Sequence, residues 1–184
     1  MTTGLLNEHL GNYRALVARV DDLSARIMGR FSSEIACTGG CDSCCRHLTL
    51  FPVEAATLLT AFTNLPDHEQ IRIRARAGRS LADSPCPLLD DHRCVLYDAR
   101  PLICRTHGLP LLVTVKDARQ IDCCPLNFTG TASLPGDAVI DLDRLNEALV
   151  AVNFCFISSP AGSLFRSAER VSIAEALLLG KNLL

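Results

Sequence analysis

The sequence predicts a mostly α-helical single domain, residues 1–184, that holds a cysteine-rich loop layer and one small β-hairpin. The length of 184 residues suits one domain. Apolar residues recur at helical spacing in several segments, and 10 cysteines, most of them in the central part of the chain, separate these segments. Because 48% of the residues are hydrophobic, the chain can form a packed core, which argues against disorder.

The first predicted element is a long amphipathic helix within residues 1–31. Leu6, Tyr13, Val20 and Ile27 recur every seven positions, and apolar neighbours widen the stripe that they form. Polar residues interrupt the same spacing at both ends of the segment. We therefore expect the helix to pack on its own domain rather than on a coiled-coil partner.

Proline marks the start of the next two predicted helices. Pro52 begins a short apolar helix, and Pro66 precedes a helix that extends to about Leu81. In the C-terminal region, residues 138–184, Asp141 is the expected N-cap of a helix that continues to Phe156.

The last predicted helix begins at a capping box formed by Ser172 and Glu175 and ends at Gly180. The middle of the chain is less regular. Residues 84–108 are expected to form a loop with a short helix around Arg100–Arg105, and residues 109–115 and 119–123 are expected to form the hairpin.

Composition limits the function classes. A formal net charge of −2 gives no basic excess for nucleic acid, so nucleic acid is not an expected partner. No apolar stretch reaches the ~18 residues of a membrane span, and the N-terminus lacks the pattern of a secretory signal. The expected location is the cytoplasm, and the arginines between Arg72 and Arg79 are expected to form a solvated helix face.

The cysteines carry most of the chemical information. In a reducing compartment, their number favours metal binding or redox chemistry over disulfides. Four of them lie within nine residues at the spacing C-x3-C-x2-C-C, where two glycines let the backbone turn inward. The metal-binding region is predicted to span residues 37–124, and its candidate ligands are Cys37, Cys41, Cys44, Cys45, Cys86, Cys94, Cys104, Cys123 and Cys124.

The spacing favours an iron–sulfur cluster over zinc. Zinc ribbons and knuckles usually bring two C-x2-C pairs, and in the first group only Cys41 and Cys44 have that spacing. Clustered thiolates closed by remote ones are typical of iron–sulfur ligation. Adjacent cysteines such as Cys44 and Cys45 project in different directions, which indicates either two centres or one ligand beside a spectator. Cys155 lies in an apolar run and is expected in the core.

Histidines and arginines lie beside several of these cysteines. His47, His92 and His107 are candidates to donate hydrogen bonds to sulfur, and His107, three residues after Cys104, is the strongest candidate for a histidine ligand. The first three cysteines also have the radical-SAM spacing. The repeated strand–helix units of a radical-SAM barrel are not evident in the sequence, so this reading is set aside.

Together these motifs resemble the YkgJ-type cysteine-cluster family, the CxxCxxCC zinc- or iron-chelating domain. The resemblance rests on CTGGCDSCC at 37–45, on CPLL at 86–89, and on the segment 94–104 with its Arg-Pro pair. It implies a metal site or sites built from eight cysteines, the eighth being either Cys123 or Cys124. A larger lysine N-methylase that acts on flagellin has a related cluster. By that analogy, the alternative function is a metal-dependent protein-modifying enzyme.

Overall fold

The computed structural model describes residues 3–81, 83–131 and 133–179. This part of the chain is mostly α-helical, as the sequence predicts, and its sheets have only two or three strands. The helices are α1 (Thr3–His9), α2 (Gly11–Arg30), α3 (Pro52–Thr63), α4 (Asp67–Ala77), α5 (Leu102–Thr106), α6 (Leu142–Ile157) and α7 (Ile173–Leu179). The strands are β1 (Thr49–Leu50), β2 (Leu89–Asp90), β3 (Arg93–Cys94), β4 (Leu111–Val115), β5 (Ala118–Asp122), β6 (Ile140–Asp141) and β7 (Val171–Ser172).

Two helices replace the single long helix expected over residues 1–31. α1 ends at His9, and α2 begins at Gly11 after Leu10, whose backbone has φ −92° and ψ 3°. Gly11 follows the break, and glycine weakens a helix interior by about 1 kcal/mol relative to alanine. Leu10 is fully buried, so packing of its side chain stabilises the break. The predicted apolar stripe is otherwise confirmed, because Tyr13 and Ile27 lie in the core.

The two short central helices differ from their expected bounds. α4 ends at Ala77 rather than near Leu81, because Gly78 follows as its C-cap. α5 is a helix of five residues that begins after Pro101 and contains Cys104. Proline has a fixed φ that suits the start of a helix, which agrees with the position of Pro101.

The predicted β-hairpin is confirmed. β4 and β5 pair antiparallel with Val115 opposite Ala118. The two turn residues, Lys116 and Asp117, both have positive φ, as in a type I′ turn. β6 adds a third strand, parallel to β4, which the sequence does not predict. Asp141 ends β6 and caps α6 by accepting a hydrogen bond from the Arg144 N–H at 3.1 Å, as expected.

The main core lies between α3, α6 and α7 and the inner faces of α1, α2 and α4. Its largest fully buried side chains include Phe62, Phe156 and Phe165. A second apolar cluster, formed by Ile27, Leu109 and neighbouring residues, attaches the three-stranded sheet to α2. The two clusters therefore support different parts of the central region.

The C-terminal helix is held by its predicted capping box. The Glu175 N–H donates to Ser172 Oγ at 3.1 Å, and the Ser172 N–H donates to the Glu175 carboxylate at 2.7 Å. These interactions confirm the expected start of α7, whereas its expected end at Gly180 lies outside the described residues. Within the described ranges, no helix has the length and apolar character needed to cross a membrane.

Candidate metal centre

All ten cysteines are free thiols. The nine candidates lie on five separate segments: the irregular segment before β1, the residues preceding β2, strand β3, helix α5, and the turn that follows β5. The thiol-bearing residues thus belong to one strand and one helix as well as to irregular segments. They are described below as two groups that meet at the adjacent residues Cys44 and Cys45, where burial and the charge of Cys45 raise the pKa of Cys44.

The first group, here called the inner thiols, consists of Cys45, Cys86, Cys94 and Cys104. The Cys86 N–H donates to the Cys45 carbonyl at 3.0 Å, which joins the first cysteine segment to the residues before β2. Strand β3 then returns antiparallel to β2 and places Cys94 opposite Leu89. Cys86 and Cys94 both pack against the main core. The backbone therefore holds Cys45, Cys86 and Cys94 near one another, and two of these residues lie beside the main core.

Burial and mutual repulsion control the ionisation of the inner thiols. Burial raises the pKa of Cys86 to about 11, and the charges of Cys94 and Cys45 add to the rise. Burial raises the pKa of Cys104 to about 12, with further contributions from the charges of Cys86, Cys94 and Cys45. Both thiols are therefore protonated at neutral pH, and a metal ion would have to displace these protons to bind.

The second group, here called the outer thiols, consists of Cys37, Cys41, Cys44, Cys123 and Cys124. Cys41 and Cys44 are exposed, and the other three are half-buried. Partial burial raises the pKa of Cys44, as do the charges of Cys45, Cys41 and Cys37. Partial burial also raises the pKa of Cys123, together with Cys124, Asp122 and Cys37. Cys37 thus lies close both to Cys44 on its own segment and to Cys123 in the turn after β5.

Asn127 connects the segments that carry the outer thiols. Its side-chain oxygen accepts a hydrogen bond from the Ala36 N–H at 2.8 Å. Its Nδ2 donates to the Gly108 carbonyl at 2.6 Å and to Cys37 Sγ at 3.4 Å. The residue is only 5% exposed, so these bonds are shielded from water. Asn127 cannot be singled out from the sequence, because a lone asparagine after a cysteine pair has no diagnostic spacing.

Gly108 allows a close approach between the same segments. Its φ is +90°, and a Cβ at this position would lie 3.2 Å from Cys37 Sγ and 3.7 Å from Cys124 Cβ. The Gly108 carbonyl also accepts hydrogen bonds from Cys123 Sγ at 3.3 Å and from the Cys124 N–H at 3.4 Å. A larger residue would therefore be strained and would crowd the sulfur of Cys37.

The donor set fits zinc or iron in its chemistry, since thiolates are the ligands that zinc and iron–sulfur clusters prefer. Within residues 3–81, 83–131 and 133–179, no group of three or more His, Cys, Asp or Glu side chains has an arrangement that could hold a metal ion. Several sulfurs are instead directed to protein groups, as when Cys37 contacts Asn127 and Cys123 contacts the Gly108 carbonyl. Shared ligation would thus require these side chains to rotate.

The three candidate histidines have different environments. His47 is engaged in the fold, because its Nδ1 contacts the Leu81 carbonyl at 3.1 Å and its Nε2 accepts the Ala174 N–H at 3.2 Å. His92 pairs with Asp42 at 2.8 Å. His107 is exposed at the end of α5, so burial gives no support to a role as ligand.

The interpretation of Cys155 as a core residue is wrong. Cys155 is exposed on α6. The helix buries Leu149, Asn153 and Phe156 instead, and the neighbouring Phe154 is exposed as well. The apolar run from Val152 to Ile157 therefore extends around the helix, and its composition does not reveal which face is buried.

Two clefts lie near the cysteine region. The larger, about 460 Å³, lies between α2, α3 and the segment before α5, and no cysteine lines it. Arg105 lies at its edge with a side chain only 8% exposed, bonded to Asp21 at 2.6 and 2.8 Å. The smaller cleft, about 240 Å³, is lined by Cys94 together with the arginines of α4 and β3.

Comparison with known proteins gives one match. Residues 36–126 match a family model described as "CxxCxxCC: Putative zinc- or iron-chelating domain". The matched segment includes the nine candidate cysteines, although the first interval here has three residues between cysteines rather than two. Neither the search of curated proteins nor the search of solved structures gave a match.

Proposed function

Because the chain belongs to the CxxCxxCC family, we propose that it binds metal through cysteine thiolates. The favoured centre is an iron–sulfur cluster, and the alternative is a zinc ion. The observation that carries the proposal is the convergence of the inner thiols. Cys45, Cys86 and Cys94 are joined by the Cys86–Cys45 backbone hydrogen bond and by the pairing of β2 with β3. The Cys104 thiol on α5 lies close enough for their charges to raise its pKa.

The inner thiols suit an iron–sulfur cluster in their sequence spacing and in their surroundings. Cys45 comes from a turn, and the other three come from segments far along the chain, which is the pattern of a cluster closed by remote thiolates. Cys86 and Cys94 pack against the core, so part of the centre would be shielded from water. A cluster held there would supply one-electron transfer, whereas zinc would supply a structural cross-link.

Arginines near the inner thiols support the binding of a negatively charged centre. Four thiolates around zinc or around a cluster leave a net charge near −2, and its burial needs compensation. Arg76 lowers the pKa of Cys86, and Arg100 lowers the pKa of both Cys94 and Cys104, in each case against the larger effect of burial. Both arginines thus stabilise the thiolate form that a metal requires.

A metal-binding or electron-transfer module is better supported than a protein-modifying enzyme. An enzyme would need a substrate pocket beside the metal, and the larger cleft is lined by charged, polar and apolar residues without a thiol. The smaller cleft touches Cys94, but Arg72 and Arg76 both pair with Asp90 across it. We therefore propose metal binding without assigning a substrate.

Anaerobic purification with metal and acid-labile sulfide analysis tests the proposal. We expect iron, sulfide and a visible absorbance that dithionite bleaches, and we expect the double variant Cys86→Ser/Cys104→Ser to lose all three. Cys155→Ser is the matched control, because this thiol is exposed on α6 outside the matched family segment. Stoichiometric zinc in a colourless protein would show that the bound metal is zinc and would refute the iron–sulfur cluster. Protein that takes up neither metal would refute the proposed function.

A further inference from the structure

We propose that Cys37 and Cys124 form a reversible disulfide beside Gly108, by exchange with a low-molecular-weight disulfide such as oxidised glutathione. Both residues are free thiols, and neither belongs to the four inner thiols that carry the proposed metal centre. The inference therefore goes beyond the proposed function. Disulfides that form in a reducing compartment are usually transient and either catalytic or redox-sensing. The pair is thus a site of reversible oxidative modification.

Gly108 is the point at which the two cysteines approach each other. A Cβ at this position would lie 3.2 Å from Cys37 Sγ and 3.7 Å from Cys124 Cβ. The Cys124 N–H also donates to the Gly108 carbonyl at 3.4 Å. Because glycine has no side chain, both cysteines can approach the same point beside its Cα.

The backbone on either side of this contact is already joined by hydrogen bonds. The Phe128 N–H donates to the Glu34 carbonyl at 2.7 Å. The Ala36 N–H donates to the side-chain oxygen of Asn127 at 2.8 Å. These bonds hold the segment before Cys37 against the turn after β5, which limits the movement that a disulfide would need.

Rotation about the χ1 angles of Cys37 and Cys124 would complete the bond. In a disulfide the sulfurs lie about 2.05 Å apart and the two Cβ atoms lie about 3.5–4.5 Å apart. A change of rotamer redirects the sulfur of a cysteine and leaves its backbone in place. Both residues are half-buried, so each remains accessible in part to a small solute.

Hydrogen bonds distinguish the thiols near Gly108. The Asn127 amide offers Cys37 Sγ an acceptor at 3.8 Å and a donor at 3.4 Å. The donor can stay bonded to the sulfur once the thiol has lost its proton, and the thiolate is the form that attacks a disulfide. The Cys123 thiol instead donates to the Gly108 carbonyl at 3.3 Å, which engages its proton. We therefore expect Cys37 to react first, Cys124 to attack second, and Cys123 to stay reduced.

The exchange takes two steps. The Cys37 thiolate attacks one sulfur of oxidised glutathione, whose S–S bond breaks and releases the first glutathione. The Cys124 thiolate then attacks the Cys37 sulfur of the mixed disulfide and releases the second glutathione. The two protons of the cysteines go to the two glutathione thiols. The cysteine pair loses two electrons, oxidised glutathione gains them, and a dithiol reductant reverses both steps.

The test incubates the full chain, purified anaerobically and with its metal content measured, with oxidised glutathione. Mass spectrometry of non-reduced peptides from the alkylated chain is expected to show a Cys37–Cys124 disulfide that dithiothreitol removes. Cys124→Ser should stop at a glutathione adduct on Cys37, whereas Cys123→Ser and the control Cys155→Ser should form the disulfide as the wild type does. A disulfide between Cys37 and Cys123, or no disulfide at Cys37, would overturn the proposal.

Two further variants separate this site from the metal centre and test the approach at Gly108. Cys86→Ser/Cys104→Ser should lose the metal of the proposed function and still form the disulfide, so the two proposals fail independently. Gly108→Ala keeps every thiol but places a methyl group 3.2 Å from Cys37 Sγ. We expect it to form the disulfide several-fold more slowly than Gly130→Ala, whose methyl group meets nothing within 4 Å. Equal rates in the two glycine variants would refute an approach beside Gly108.

Discussion

The substitution Glu54→Ala tests how the helices support the segment that carries Cys104. Glu54 is 4% exposed, and one carboxylate oxygen accepts the Leu102 N–H at 3.0 Å, at the first residue of α5. The other oxygen accepts the Phe51 N–H at 3.1 Å, at the N-cap of α3. Tyr13 contributes a longer bond at 3.5 Å. One buried side chain therefore joins α2, α3 and α5.

The expected cost follows from the donors that lose their acceptor. Each buried donor left unpaired costs ~1–3 kcal/mol, and two amides lose their partner, because the long Tyr13 bond adds little. Part of this loss is offset because burial disfavours the charged form of Glu54 and raises its pKa. We expect the free energy of unfolding to fall by ~3 kcal/mol, measured by urea denaturation followed by circular dichroism.

Glu175→Ala is the matched control, since Glu175 has the same capping position in α7 but is exposed. Its loss is expected to cost ~1 kcal/mol, as is usual for a helix cap in water. The difference between the two variants isolates the effect of burial and of the bond to Leu102. Equal destabilisation by the two substitutions would refute the reasoning.

The remaining predictions concern pH, a glycine and an arginine. Because burial raises the folded-state pKa of Glu54, the free energy of unfolding should decrease as the pH rises above 4.5. Glu54→Gln should flatten this pH dependence in urea titrations at several pH values. The same pH dependence in the variant and the wild type would contradict the prediction. Gly108→Ala should lower stability by ~1–2 kcal/mol because of its positive φ, whereas Gly130→Ala, which meets nothing within 4 Å, should change it little in the same assay. Arg105→Lys should lower the free energy of unfolding by ~1–2 kcal/mol, because lysine cannot reproduce both bonds to Asp21. Thermal unfolding measures this loss.

Local patterns in the sequence predict most of the helices and the hairpin. The seven-residue spacing from Leu6 to Ile27, the proline at the start of α3 and the capping box at Ser172 all act over a few residues, so they can be recognised without the fold. The break at Leu10 is different, because it depends on how that side chain packs in the core. Packing of this kind leaves no periodic signal in the chain.

The candidate site shows the same division between local and distant information. The spacing of the cysteines predicts which residues are candidate ligands, and the match over residues 36–126 agrees with that region. The role of Asn127 depends on contacts with Ala36 and Gly108, which are 91 and 19 positions away in sequence. The exposure of Cys155 likewise depends on which face of α6 meets α3. Neither the contacts of Asn127 nor the exposure of Cys155 could be predicted from the spacing of residues in the sequence.

The two apolar clusters support the segments that carry the thiols at different places. The main core takes its large side chains from the helices and holds Cys86 and Cys94 only at its margin. The second cluster fixes the end of α2 to the three-stranded sheet, and the outer turn after β5 follows directly from that sheet. The segment from Cys37 to Cys45 crosses from the second cluster to the first. Cys37 therefore lies beside Asn127 and the outer turn, and the Cys45 carbonyl is joined to the N–H of Cys86, which packs against the main core.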